Sequence, residues 1–143
     1  MSACSGGSGE GSPEASTGGD APDAAGDEPV APTYAPTFTA LWGEVFTPTC
    51  AILFCHGGSD DFLSMATKDT AYAAMVGVVS HGPQCGSTGL TIVEPGKPDA
   101  SLLYLKVTSP PCGNKMPAMY GLSLDSREID QIKQWITLGA QND

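Results

Sequence analysis

The sequence predicts an all-α domain of three to four short helices joined by long loops, preceded by a disordered tail. Three observations carry that prediction. Residues 1–33 are Gly, Ser, Pro, Ala, Thr, Asp and Glu with almost nothing to bury. From Tyr34 the composition changes, and apolar residues recur at helical spacing in four short windows. The chain's 18 glycines and 12 prolines are unevenly placed among 143 residues, which is enough for one domain and not two.

The segment 1–33 reads as a flexible, self-repelling linker. It holds six acidic and no basic residues, so it carries −6 of the net charge of −10. The remainder, 34–143, holds ten acidic against six basic residues and carries −4. A weakly acidic domain argues against nucleic-acid binding, which needs a basic face. No run of about 18 apolar residues exists, so no transmembrane helix is expected.

Phe38, Leu41, Trp42, Val45 and Phe46 predict a first helix over 37–47, with Pro36 near its start and Pro48 near its end. Trp42 and Phe46 belong to the core. This helix delivers the chain to Cys50-Ala-Ile-Leu-Phe-Cys55-His56, the stretch around which the rest is organised. Two cysteines followed directly by histidine are the chemistry of covalent haem attachment, usually at Cys-x-x-Cys-His spacing. Each thiol can add across a vinyl group, and the adjacent imidazole is then carried under the iron as proximal ligand. Here four residues separate the cysteines, so two of Ala51 to Phe54 must bulge away from the ring edge. The competing reading is a local Cys50–Cys55 disulfide with His56 incidental. Zinc on Cys50, Cys55 and His56 would need a fourth ligand and a reduced site.

Gly57-Gly58 lets the backbone turn sharply, beside a flat ligand or in an ordinary loop, and Ser59, Asp60 and Asp61 continue that loop. Ala71, Tyr72, Met75 and Val76 predict a short helix over 69–77, capped by Asp69 or Thr70 and ended by Gly77. Met75 is read as core. His81, the second histidine, sits in a polar loop as an alternative axial ligand or a surface residue. Leu90 to Val93 form a short extended run. Asp99 is expected to cap a helix over 100–107 containing Leu102, Leu103 and Tyr104. In Cys112-Gly-Asn-Lys-Met116-Pro117, the proline pushes Met116 towards an extended backbone, so its side chain can reach across a pocket. The last helix starts at a capping box, Asp125-x-x-Glu128, presents Ile129, Ile132, Trp135, Ile136 and Leu138, and stops at Gly139.

These pieces, taken in order over 37–140, resemble the c-type cytochrome superfamily, and more narrowly small bacterial lipoprotein cytochrome-like domains with a Cys-x4-Cys-His motif. The most specific match is Pro95-Gly-Lys-Pro-Asp-Ala-Ser-Leu-Leu-Tyr104; the C-terminal helix with Trp135 also matches. The resemblance implies a cytochrome c-like domain over 34–143 in which the last helix crosses the first near Trp135. It implies haem c held by Cys50 and Cys55, with His56 as one axial ligand and Met116 as the other, Met119 being the runner-up. It implies an electron carrier rather than an enzyme, passing electrons to a redox partner protein, and a monomer. An open iron site with peroxidase-like or gas-sensing behaviour would require Met116 not to bind. A thioether ligand favours Fe(II) and raises the potential relative to two imidazoles.

Met1-Ser-Ala-Cys4 resembles the end of a bacterial lipoprotein signal, which implies lipidation of Cys4, an apolar leader upstream of Met1, and a tether over 1–33. The protein would then be exported, periplasmic or on the outer surface. That reading accounts for all five cysteines: Cys4 lipidated, Cys50 and Cys55 on haem, Cys85 paired with Cys112. Two disulfides and a lipidated Cys4 also leave none over. Cysteine arithmetic therefore supports export without choosing haem, and a haem-less, disulfide-stabilised lipoprotein domain with a structural or binding role stays open.

Overall fold

The computed structural model describes residues 34–58 and 62–143. The tail 1–33, Cys4 and the loop residues Ser59 to Asp61 lie outside the described residues. Among the described residues, four helices, two short 3-10 turns and isolated β-bridges make up the regular structure, as expected of an all-α domain.

Helix α1 runs over 38–49 in three continuous stretches: Phe38–Leu41, a π-helical Trp42–Phe46, and Thr47–Thr49. Thr37 caps it, accepting the Ala40 N–H at 3.1 Å. The Asp143 carboxylate accepts the Phe38 and Thr39 N–H groups at 2.8 and 3.2 Å. A carboxylate at a helix N-terminus satisfies orphan donors and faces the positive end of the dipole.

The helix passes through Pro48 instead of stopping before it. Proline offers no N–H to the Glu44 carbonyl and crowds it. The turn before Pro48 widens to the π register, with the Thr47 N–H reaching the Trp42 carbonyl. At about 100° per residue, a regular helix would carry Cys50 about 120° away from Phe38. One extra residue in a turn sets the rest of the helix back by about 100°. Phe38, Leu41, Val45 and Phe46 therefore all reach the core, and Cys50 leaves the helix on their side.

Helix α2, Lys68–Met75, starts one residue earlier than the sequence suggests, because Thr67 is the cap. The Thr67 hydroxyl accepts the Thr70 N–H at 3.2 Å, and the Thr70 hydroxyl accepts the Thr67 N–H at 2.9 Å. Threonine thus takes the place that Glu or Gln usually holds in a capping box. The helix ends at Val76, just before Gly77, and Met75 is fully buried.

The run 90–93 is extended but builds no strand among the described residues. It is stitched by single bridges, Val76 to Val93, Val79 to Thr91 and Thr91 to Ser101. Asp99 does not cap a helix. Pro98–Ala100 is a 3-10 turn, and helix α3 spans Leu102–Val107 with Ser101 at its N-cap position. The buried Ser101 hydroxyl accepts the Glu94 N–H at 2.9 Å and donates to the Lys97 carbonyl at 2.8 Å. It staples the Pro95–Ser101 turn and is spent there, not on the helix end.

Helix α4, Ser126–Thr137, has the expected capping box between Asp125 and Glu128, at 2.9 and 2.7 Å. It ends in a Schellman motif: the Ala140 N–H reaches the Trp135 carbonyl and the Gly139 N–H reaches the Ile136 carbonyl, with Gly139 at φ 101°.

Phe38 is the hub that joins three helices. It stacks on Trp135 at 5.2 Å, meets Tyr72 edge-on at 5.1 Å, and lies 6.0 Å from Phe46. Each such pair contributes about 0.5–1.5 kcal/mol beyond the area it buries. The first and last helices thus meet at Trp135, as the sequence predicts. Trp42 is only half-buried, against its expected core position, because the π turn brings Phe46 inward.

Candidate functional site

The chain from Cys50 to Gly57 is a closed loop. The His56 N–H donates to the Cys50 carbonyl at 3.0 Å, and the Ile52 carbonyl accepts from Cys55 and Gly57 at 2.9 and 3.0 Å. These bonds set Cys50, Cys55 and His56 on one side. Leu53 and Phe54 are 81% and 91% exposed, and Phe54 also lines the cavity above this loop. Gly57 has no alternative here, since a Cβ would run into the Ala51 and Ile52 backbone. The His56 carbonyl accepts the Met65 N–H at 2.6 Å, and its ring stands edge-on to Phe62 at 6.4 Å.

Above this loop lies a cavity of about 410 Å³. Cys50, Cys55 and His56 line it from the α1 side. Met116 lines it from the 112–119 loop, half-buried, with its N–H on the Lys106 carbonyl at 2.7 Å. Its peptide bond to Pro117 is cis. Met119 and His81 also line it, both exposed. The inner wall is apolar: Met65, Ile92, Leu102, Leu103 and Val107. A volume in the range of ligand sites, an apolar wall and few polar groups describe a pocket for a large, mostly apolar ligand.

The donor set fits haem. Two thiols and an imidazole lie on one wall, and a thioether lies on a different segment facing the same space. Among the described residues, no three His, Cys, Asp or Glu side chains could hold a metal ion as a group. Haem iron needs only axial donors from the protein.

Cys50 and Cys55 are free thiols. Burial pushes the Cys50 thiol up to about 12, with smaller contributions from Cys55 and Glu128. Ionising it in the folded state is disfavoured, while the unfolded chain ionises near 9.0. Below that value both states carry the thiol, and its contribution to stability is fully present. It is lost as pH rises from 9 towards 12, by a total on the order of 4 kcal/mol. Urea midpoints of the haem-free protein should therefore fall more steeply over this window than those of Cys50→Ser. Parallel curves would contradict the buried thiol.

Cys85 and Cys112 form a disulfide across a separation of 27 residues, as the resemblance implied. Cys85 lines the cavity, so the bridge ties the 112–119 loop to its wall. Met65 and Lys106 are cavity residues that sequence reasoning missed. Met65 follows loop residues with no periodicity. Lys106 sits one turn beyond Leu102 and Leu103, the one signal that α3 would turn it towards the same space.

No known protein family, curated protein or solved structure matches the chain. No helix among the described residues is long and apolar enough to cross a membrane. The disulfide is compatible with an oxidising, non-cytosolic compartment.

Proposed function

We propose that the chain is an electron-transfer haemoprotein with a cytochrome c-like domain, carrying haem c on Cys50 and Cys55 with His56 and Met116 as axial ligands. The observation that supports this best is the single cavity that gathers these four side chains from two separate segments. The contact of the first and last helices at Trp135 supports it independently of the motif. When bound, haem supplies a one-electron Fe(II)/Fe(III) couple.

The residues divide the remaining work. Cys50 and Cys55 hold the ring in one orientation. His56, fixed by its backbone bond to Cys50, offers an imidazole from one side. Met116 would offer a soft sulfur from the 112–119 loop, which would favour the reduced state. The apolar wall excludes water. With His56 and Met116 both holding the iron, no substrate would need to reach it, and the role would be carriage and not catalysis. A redox partner protein exchanges electrons with it. The domain works as a monomer outside the cytosol, in the periplasm or on the outer surface, tethered through 1–33 and a lipidated Cys4.

The haem-less reading would instead join Cys50 and Cys55 in a second disulfide. An absorption spectrum separates the two readings. The full chain, with an export signal, is made in a host that matures c-type cytochromes. Covalent haem gives a Soret band that survives acid and solvent extraction, and sharp α and β bands on dithionite reduction. A colourless protein with two disulfides by mass means a structural or binding domain.

A further inference from the structure

Among the described residues, Lys106 is the lysine that lines the cavity, and no Asp or Glu lines it beside Lys106. Neither ion pair among the described residues includes it; those are Lys97 with Glu94 and Arg127 with Asp125. Its bonds go instead to one loop. Its backbone carbonyl accepts the Met116 N–H at 2.7 Å, and its ammonium donates to the Cys112 carbonyl at 2.9 Å. One residue of a packed helix thus holds both ends of the segment 112–116. Leu102, Leu103 and Val107 bury the helix on either side of it, so the grip is mounted on a fixed base.

We infer that Lys106 is the positioning residue for the Met116 loop, clamping it over the cavity at both ends and facing a positive charge towards whatever binds there. The inference rests on the haem reading for its redox consequence, but the clamp itself concerns only this chain. The two bonds act differently. The carbonyl bond sets the height of Met116 and survives any side-chain change. The ammonium bond sets where the loop begins, and it is charge-assisted, so its loss costs more than that of a neutral pair. The same charge favours Fe(II), the state with one positive charge fewer.

The test compares Lys106→Met, Lys106→Gln and Lys106→Arg in the full chain, with hydrogen exchange of the Asn114 to Met116 amides and the haem midpoint potential as readouts. Lys106→Met keeps the stem and loses the bond. Its loop amides should exchange about ten- to a hundredfold faster, which corresponds to a charge-assisted bond, and its midpoint should fall. Lys106→Arg should match the parent in both. Lys106→Gln keeps a donor without charge, so it should keep more protection than Met yet show a lowered midpoint. If Lys106→Met does not fold, Gln against Arg decides on the midpoint alone. Parent-like exchange and midpoint in Lys106→Met, or in Lys106→Gln where Met fails to fold, overturn the inference. If the parent binds no haem, the functional reading fails, and exchange in the haem-free chain alone judges the clamp.

Discussion

Met116→Ala is expected to leave the haem attached and to lower its midpoint potential by on the order of 100 mV or more. On the proposed reading attachment would depend on Cys50 and Cys55, on a different segment, so the extracted pigment should be unchanged. The iron, however, loses its soft donor. Water or an added ligand can then take the sixth position, the spectrum should move towards high spin, and the reduced protein should bind carbon monoxide that the parent excludes. Geometry ranks Met116 above its rivals. It is half-buried with its amide pinned to Lys106, whereas Met119 is 42% exposed and His81 stands exposed in its loop. Redox titration and a carbon monoxide difference spectrum check the ranking. A variant that keeps the parent's midpoint and low-spin bands removes Met116 from the iron, and Met119→Ala and His81→Ala become the next measurements.

How much could be read in the sequence depends on how local the interactions are. The last helix was legible at both ends, because Asp125, Glu128 and Gly139 act within one turn of the positions they terminate; Leu138, read as part of its apolar face, is instead the C-cap and 66% exposed. The core face of α1 was legible from spacing, but its passage through Pro48 was not. Periodicity assumes one pitch, and the π stretch changes it. The start of α2 was misplaced because Thr70 can serve either as cap or as the far half of a box begun by Thr67. Asp99 looked like a cap by composition, but the backbone groups of that turn were satisfied by the buried Ser101. At the candidate site, the motif pointed to Cys50, Cys55 and His56, which line the cavity. Met116 needed the resemblance, since nothing local tells a loop methionine from a ligand. Lys106 and Asp143 escaped because their partners lie on other segments. Asp143 meets α1 at a separation of 105 residues, and no window on the sequence spans that distance.

Removing the Cys85–Cys112 bridge by a double serine substitution should be the largest single loss of stability. A closed loop of this length constrains the unfolded chain by about 3–4 kcal/mol in the chain-entropy model. For a domain of this size that is a fall in Tm on the order of 10–20 °C. The bridge also joins the cavity wall at Cys85 to the loop that carries Met116, four residues beyond Cys112. Two effects can therefore be told apart. Stability should fall by nearly the full amount, because entropy of the unfolded chain does not depend on what the loop holds. Ligation should change less, because Lys106 still grips the Cys112 carbonyl and the Met116 amide after the sulfurs are gone. Calorimetry and redox titration on the same double variant measure the two separately. A large drop in Tm with a nearly unchanged midpoint assigns the bridge to stability and the loop's position to Lys106. A midpoint that falls as far as in Met116→Ala would mean that the disulfide is what keeps Met116 over the cavity. An unchanged Tm would mean that the reduced chain already confines these two segments.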